Sequence, residues 1–284
     1  MGISRGGAYL LLRLGVKIDF TGACLTLGEQ DIHLRPHDLK ALAKRFQITD
    51  SKFFSYPNTC EQFFEKLGFT KTQSLDHSDY EGSSILWDLN EEVPVNLQEQ
   101  FDVIYDGGTL EHVFNFPISL ANISRMLKTG GYAIHASPSS NHVDHGFYMF
   151  SPRALYEYYV ANSWEIVESV IFEYSEDHAY RRWKFYNYQP GIIDQFSFGG
   201  WGKNMLGIFL VVRKMDNSTH GVMPQQGTYL KMWDDVPQET LKNQFGSRLN
   251  NIFNTLPPIQ RMLRYVYFKY VTVRRKSLKS FEHF

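Results

Sequence analysis

A group of side chains near the middle of the chain could remove a proton from a bound molecule. The apolar run 101–105 ends in Asp106-Gly107-Gly108, and Glu111 and His112 follow closely. Carboxylates and imidazoles are common general bases, and His has an unperturbed pKa near neutrality. His145 is a third candidate base, because it lies in a loop beyond the next apolar run. Plainer roles compete with catalysis: capping or orientation for His112, and loop hydrogen bonding for His145.

Glycine or an acid also follows other short apolar runs. Gly28, Asp76 and Asp88 each stand directly after such a run, as Asp106 does. Ligands of an open α/β sheet bind beyond the carboxyl ends of its strands, so these residues are expected to line one cleft. The alternative for each single acid is a helix cap or a turn residue.

The charge of this region narrows the class of ligand. Residues 72–124 contain ten Asp and Glu residues and neither Lys nor Arg, and the whole chain has a net charge of −1. A phosphate-binding site would present basic side chains or a glycine-rich cradle. The acidic segment instead fits a ligand with ribose hydroxyls, an amine and a positive centre. The overall charge gives no electrostatic case for nucleic acid.

The elements that position these residues are strands separated by helices. This alternation favours parallel pairing with right-handed crossovers, and apolar strands without alternation favour a sheet covered on both faces. The predicted strands are 22–28, 72–75, 84–87, 101–105, 132–136, 165–172 and 207–213. The predicted helices are one within 1–20, 38–46, 61–67, and one each from Pro117 and Pro152. The tripeptide Thr129-Gly130-Gly131 is expected to end the helix that precedes the fifth strand.

Longer stretches of the sequence resemble class I S-adenosylmethionine-dependent methyltransferases. The run FDVIYDGGTLEHVFNFPISLANISRMLKTGGYAIHASPSSN is similar to that family's fourth strand, following helix, Gly-Gly turn and fifth strand. The run LDHSDYEGSSILWDLN is similar to its second and third strands. The run NHVDHGFYMFSPRALYEYY is similar to the segment after strand five in a subgroup often met among bacterial proteins that act on sugars or other small molecules. The resemblance spans about residues 20–213 and implies an α/β fold, with a Rossmann-like, seven-stranded, mostly parallel sheet flanked by helices.

The resemblance implies S-adenosylmethionine as the cofactor and gives roles to the strand-end residues. Asp76 would bind the ribose hydroxyls, because a carboxylate can accept two hydrogen bonds at once. Asp88 and Leu89 would frame the adenine. Asp106 and Gly107 would lie near the methionine part and the sulfonium.

The first strand-end motif departs from the family pattern. The run LTLGEQDIHL has a single glycine, Gly28, where the family usually has an acid and a Gly-x-Gly-type loop. Gln30 is expected to donate a hydrogen bond to the cofactor's carboxylate, a role otherwise left to main-chain amides. An extra helix and loop, at about residues 48–64, is expected to fill the long connection to the second strand.

The reaction implied by the resemblance is an in-line displacement that carries a methyl group to an oxygen or nitrogen of a small-molecule or saccharide acceptor. Glu111 and His112 would lie where the acceptor meets the methyl group, with His145 reaching over the pocket. The alternative is a catalytically inactive binding or scaffold protein of the same fold, which the weak first motif favours.

Metal and disulfide chemistry are not expected from the sequence. The stretch 142–145 and the pair His33 and His37 contain possible ligands, but no third ligand is evident. Cys24 and Cys60 belong to no CxxC pair, which favours a reducing, cytoplasmic location. We expect neither a signal peptide nor a membrane span of ~18 apolar residues.

Three segments are predicted: a methyltransferase domain at 1–214, a polar linker at 215–228 and a basic, mostly helical extension at 229–284. From Arg261 onward the extension holds seven Lys and Arg residues against one acid, with an apolar stripe at helical spacing. This stripe favours packing on its own domain or on a second copy in a homodimer, and peripheral membrane contact is the alternative. The aromatic-rich segment 173–202 could stack on a sugar, or it could form a lid or core.

Overall fold

The computed structural model of the chain describes residues 2–176, 182–197, 200–227, 262–263, 266 and 280–283. The chain separates into two compact units, of which the larger comprises 1–189, 203–222 and 280–284 and the smaller comprises 190–202 and 223–279. In the smaller unit, a 3₁₀ turn spans Asp194–Phe196, and the rings of Phe196 and Trp201 lie 4.8 Å apart. Most of the predicted extension, and residues 177–181 and 198–199 of the aromatic-rich segment, lie outside the described residues.

A nine-stranded sheet forms the centre of the larger unit. The strands among the described residues are β1 (Ile3–Ser4), β2 (Ala23–Leu27), β3 (Ile32–His33), β4 (Lys71–Asp76), β5 (Ile85–Leu86), β6 (Phe101–Asp106), β7 (Leu127–Ser140), β8 (Glu165–Tyr174), β9 (Lys184–Asn187), β10 (Met205–Arg213) and β11 (Glu282–His283). The central sheet has the order β11-β9-β8-β10-β7-β6-β2-β4-β5, and β1 and β3 form a separate parallel pair. Strands β5, β4, β2, β6 and β7 are parallel, whereas β10, β8, β9 and β11 are antiparallel to their neighbours.

The parallel part of the sheet has the arrangement of a doubly wound fold. Numbered among themselves, its strands lie in the order 3-2-1-4-5, which is that of nucleotide-binding sheets. The expected Rossmann-like α/β fold is therefore confirmed, and β9 and β11 extend the sheet beyond the seven expected strands. The strand order reverses between β2 and β6, so this is the switch point at which such sheets bind ligands.

Five α-helices are described: α1 (Arg5–Gly15), α2 (Pro36–Phe46), α3 (Cys60–Leu67), α4 (Phe116–Met126) and α5 (Pro152–Ala161). Local chemistry sets several of their ends. The Thr59 hydroxyl accepts a hydrogen bond from the Gln62 amide at the start of α3, and Gly68 ends the same helix at φ +118°. None of the described helices combines the length and the apolar character that crossing a bilayer would require.

The strand register aligns the residues that matter for function. Leu27, the last residue of β2, pairs with Leu75 of β4 on one side and with Asp106 of β6 on the other. Gly28 and Asp76 therefore lie one residue further towards the carboxyl edge of the sheet than Asp106. The sequence-based expectation that these strand ends share one edge is correct.

Two details of the fold differ from the sequence-based expectations. Thr129-Gly130-Gly131 does not end a helix, because α4 already ends at Met126 and the tripeptide lies within β7. There the pairing of β6 with β7 skips from Leu127 to Tyr132, which marks an irregularity in the strand. A Cβ on Gly131 would meet the Asp102 carbonyl oxygen at 2.8 Å, so this irregularity requires glycine. In addition, the helical part of the extra helix and loop expected at about residues 48–64 is a short 3₁₀ turn at 51–54, and α3 begins at Cys60.

Candidate active site

A cleft of about 410 Å³ lies at the carboxyl ends of β2, β4 and β6, at the switch point of the sheet. This size is within the range of small-molecule sites. The cleft brings together six of the residues singled out from the sequence, namely Gly28, Gln30, Asp76, Asp88, Leu89 and His112. The other four candidates, Asp106, Gly107, Glu111 and His145, are not among its lining residues.

The cleft is acidic. Its lining residues include the acids Glu29, Asp76, Glu81 and Asp88 and, in the described part of the chain, neither Lys nor Arg. Such a surface suits hydroxyls, amines and positive centres, and it does not suit the phosphates of a dinucleotide.

A larger cavity of about 1020 Å³ lies elsewhere in the same unit. Phe20 and Gly68, which line it, precede β2 and β4 and so mark the amino ends of these strands. Ligands of doubly wound sheets bind at the opposite, carboxyl edge. We therefore assign the ligand site to the smaller cleft.

The turn after β2 depends on Gly28. This residue has φ +70°, and its amide donates a hydrogen bond of 2.8 Å to the Leu75 carbonyl. A Cβ at this position would lie 2.9 Å from the Thr109 hydroxyl oxygen. Glycine thus allows β2, β4 and the segment after β6 to converge at the floor of the cleft.

Gln30 is buried, and its amide group is oriented by the backbone. Its Nε2 donates to the Leu27 carbonyl at 3.0 Å, while its Oε1 has no hydrogen-bond partner among the described residues. Gly107 makes room for this oxygen, since a Cβ there would lie 2.2 Å from Oε1. The atom of Gln30 that remains for a ligand is therefore an acceptor, which suits an ammonium group rather than the carboxylate expected from the sequence.

Asp76 and Asp88 are held by short-range hydrogen bonds. One oxygen of Asp76 accepts from the His77 amide at 2.6 Å, and no described group donates to its other oxygen. Asp88 accepts from the Asn90 amide and side chain, both at 2.8 Å, and these bonds lower its pKa. Each acid therefore keeps an acceptor oxygen for a ligand.

Asp106 is fully buried and turned away from the cleft. One of its oxygens lies 2.9 Å from Nδ1 of His135 and 3.2 Å from the Ser137 hydroxyl, and the other accepts from the Thr109 amide at 3.0 Å. Burial acts to raise the pKa of Asp106, but the bonds from His135 and the amides lower it on balance. The carboxylate fixes the turn after β6, so its contribution to the site is indirect.

His135 is a residue that the sequence analysis did not select. Its Nε2 lies 2.7 Å from the Tyr159 hydroxyl, and the ring is completely buried. The sequence did contain one indication of it, because His135 is a titratable residue within the otherwise apolar run of the fifth predicted strand. In the structure this residue pairs with Asp106.

Glu111, His112 and His145 meet beside the cleft. Glu111 lies in the 3₁₀ turn Leu110–His112 and is 0% exposed, and neither of its carboxyl oxygens has a hydrogen-bond partner in the described part of the chain. Its Oε1 is 4.0 Å from Nε2 of His112 and 3.8 Å from Nε2 of His145. The side chains of the two histidines are 45% and 37% exposed, respectively, so both rings also reach solvent.

The charge states within this group follow from burial. Burial, with a smaller contribution from Asp106, raises the pKa of Glu111 to about 8. Burial and the neighbouring His145 lower the pKa of His112. At neutral pH, His112 is thus a neutral imidazole that can accept a proton, whereas Glu111 is mainly protonated.

Comparisons with known proteins give only distant structural matches. No family model and no curated protein matches the chain. Among solved structures, 1,6-didemethyltoxoflavin-N1-methyltransferase of Burkholderia thailandensis, bound to 1,6-didemethyltoxoflavin and S-adenosylhomocysteine, has 15% identity and a TM-score of 0.41, covering 75% of this chain and 78% of that chain. Geranyl diphosphate methyltransferase in complex with SAM has 11% identity and a TM-score of 0.42, covering 74% and 85%. The MccD protein has 12% identity and a TM-score of 0.42, covering 74% and 99%. Likeness at this level carries no conclusion about activity, and the fold assignment rests on the strand pairings.

Proposed function

We propose that the protein is a methyltransferase that binds S-adenosylmethionine in the cleft at the switch point and methylates a small-molecule or saccharide acceptor. The observation that carries this proposal is the acidic cleft, free of Lys and Arg in its described lining, at the carboxyl edge of a doubly wound sheet. The location favours a nucleoside ligand. A described lining without Lys or Arg favours a nucleoside without phosphates.

The cofactor would lie along the strand ends. Asp76 is the last residue of β4, the strand next to β2. An acid at this place in doubly wound folds binds ribose hydroxyls, and the unpaired oxygen of Asp76 supports this role. Asp88 and Leu89 would hold the adenine, with the carboxylate accepting from the exocyclic amine. The unpaired Oε1 of Gln30 would accept from the ammonium of the methionine part.

The protein's part in the chemistry is mainly alignment. The sulfonium already activates the methyl group, so the site must hold the acceptor atom in line with the methyl carbon and sulfur. A hydroxyl acceptor must also lose a proton, and His112 is the side chain that both lines the cleft and is neutral at pH 7. His145, near Glu111, is the second group able to accept it.

Calorimetry with S-adenosylmethionine tests this proposal. We expect saturable heat at cofactor concentrations below about 1 mM, an affinity of about −4 kcal/mol or better. If a folded preparation gives no heat at that concentration, the enzyme proposal is wrong. The alternative, a binding protein without turnover, would then be favoured, and the single glycine of the first turn is the feature that supports it.

A further inference from the structure

The group formed by Glu111, His112 and His145 has the composition and spacing of a metal site. Each residue offers one ligand atom, and the three atoms lie within 4.8 Å of one another. The His112 and His145 rings lie edge to face, with centroids 5.0 Å apart. Sequence analysis missed this combination because it treated Glu111 and His112 as candidate bases and sought metal ligands within 142–145 and at His33 and His37.

The Glu111 carboxyl group is the observation that points to a ligand. It is completely buried, and both its oxygens lack hydrogen-bond partners among the described residues. The only basic side chains of the described chain within 4.0 Å of it are the two histidines. Buried carboxyl groups are normally hydrogen-bonded, paired with a charge or bound to a metal. Two imidazole nitrogens and two unpartnered carboxyl oxygens thus converge on one place that a cation could occupy.

We propose that Glu111, His112 and His145 bind a divalent transition-metal ion. Because Zn–N and Zn–O distances are about 2.0–2.2 Å, two ligand atoms of one ion lie no more than about 4.4 Å apart. The Glu111 oxygen meets this limit with both histidines, at 4.0 and 3.8 Å. The ligand atoms of the two histidines lie within 4.8 Å of each other, so they need to approach by at most about 0.4 Å to meet this limit.

The ligand types select the class of ion. Two imidazoles and one carboxylate form the ligand set of catalytic zinc sites and of non-haem iron sites. Magnesium and calcium prefer oxygen ligands. Three protein ligands leave further coordination positions, and the partial exposure of both histidines directs these positions towards solvent and an incoming molecule.

The turn that carries Glu111 and His112 is in close backbone contact with the loop that carries His145. The Tyr148 amide donates to the Glu111 carbonyl at 3.1 Å. A Cβ on Gly146 would lie 2.8 Å from that carbonyl oxygen and 3.1 Å from Nδ1 of His112. The glycine therefore lets the loop with His145 approach the turn closely enough for the three ligands to meet.

The site adjoins the cleft through His112, which lines it. If the proposed methyl transfer is correct, on which this step rests, a hydroxyl of the acceptor would bind the ion beside the methyl group. The ion would lower the pKa of that hydroxyl, so with His112 and His145 bound to the ion the proton would pass to solvent instead of to either histidine. The oxygen would then bond to the methyl carbon as the methyl–sulfur bond breaks, and S-adenosylhomocysteine would leave. Metal binding itself does not depend on this step.

Titration of chelator-treated protein with Co²⁺, followed by visible absorption, tests the inference. We expect one equivalent of Co²⁺ to bind and to give visible ligand-field bands. Glu111→Gln and His145→Gln should each weaken Co²⁺ binding at least about tenfold, because loss of a group that only hydrogen-bonds to a metal ligand already costs about 10–100-fold. His33→Gln removes an exposed histidine of β3 and should leave Co²⁺ binding unchanged. Circular dichroism checks that each variant is folded.

Two results would overturn the metal site: no saturable Co²⁺ binding to the wild-type protein, or equal binding to all three variants. S-adenosylmethionine affinity, measured separately on the same metal-free samples, distinguishes the two proposals. Cofactor binding without Co²⁺ binding would remove the metal site and leave the methyltransferase proposal standing. Co²⁺ binding without cofactor binding would remove the methyltransferase proposal and leave the metal site standing.

Discussion

Asp106 and His135 are paired residues of the neighbouring parallel strands β6 and β7, and their side chains meet at 2.9 Å inside the protein. The pair lies directly beneath the turn that begins with Gly107. The other carboxylate oxygen of Asp106 accepts hydrogen bonds from the Thr109 and Leu110 amides, at 3.0 and 3.3 Å. A buried hydrogen-bond network thus positions the backbone next to the cleft without facing the ligand.

Removing the Asp106 carboxylate should destabilise the fold. Asp106→Ala leaves His135 and two amides without their partner, so we expect the free energy of unfolding to fall by about 3–5 kcal/mol. Urea denaturation measures this change. Glu92→Ala removes a carboxylate that is 61% exposed and pairs with Arg125, so it should cost only about 0–1 kcal/mol. Similar effects of the two substitutions would contradict the structural role of Asp106.

Asp76 should contribute directly to cofactor affinity. Asp76→Ala removes two hydrogen bonds to the ribose, which we expect to weaken S-adenosylmethionine binding by about 1–3 kcal/mol. Calorimetry measures the loss. Asp79→Ala serves as the control, because Asp79 is exposed and does not line the cleft. Unchanged affinity in Asp76→Ala would mean that the ribose lies elsewhere.

Gly107→Ala should disturb the cleft through Gln30. The new methyl group would lie 2.2 Å from Oε1 of Gln30 and 2.6 Å from Cε1 of Tyr105. We expect a loss of about 1–3 kcal/mol in stability from overpacking, together with weaker cofactor binding. Thermal unfolding and calorimetry measure the two effects.

A second substitution tests whether the contact with Gln30 causes the loss of stability in Gly107→Ala. Gly107→Ala combined with Gln30→Ala should recover part of the lost stability, because the clash with Oε1 is removed. Gly221→Ala is the matched control, since a Cβ at Gly221 meets nothing within 4 Å. If the double variant is no more stable than Gly107→Ala alone, Gln30 is not the group displaced.

Asp38 should make stability depend on pH in the acid range. Burial acts to raise the pKa of Asp38, but its hydrogen bonds and ion pair with Arg35 lower it on balance. A carboxyl group with a lowered folded-state pKa stabilises the protein above its unfolded-state pKa of about 3.9 and loses this contribution as the pH falls through the folded-state value.

Urea denaturation between about pH 2 and 7 would detect this dependence. We expect Asp38→Asn to be less stable than the wild type at pH 7 and to lose less stability on acidification. Asp31→Asn, a change of an exposed carboxylate, is the control. Parallel curves for Asp38→Asn and the wild type would contradict the assignment.

Much of the fold follows from local patterns in the sequence. Apolar runs that end in Gly28, Asp76 and Asp106 predicted the strands and their common edge, because parallel strands between helices place their carboxyl ends together. The Gly130-Gly131 pair was misread, since the same dipeptide that ends helices also permits an irregular strand. Only the pairing with β6 distinguishes the two cases.

The site itself was only partly predictable. Asp106 and His135 are 29 residues apart, and Glu111 and His145 are 34 apart, so their contacts arise from strand pairing and loop packing that no local pattern reveals. The sequence likewise offered no indication that Asp106 would face the interior while Asp76 and Asp88 face the cleft. Residue types were enough to identify the candidates, but the direction in which each side chain points could be seen only in the structure.

A crystal structure of the protein grown with S-adenosylhomocysteine would test the central claim most directly. The account predicts the nucleoside in the cleft, with its ribose hydroxyls within hydrogen-bonding distance of Asp76 and its adenine between Asp88 and Leu89. The account is contradicted if the compound binds away from these residues, or if the cleft holds none of it at saturating concentration.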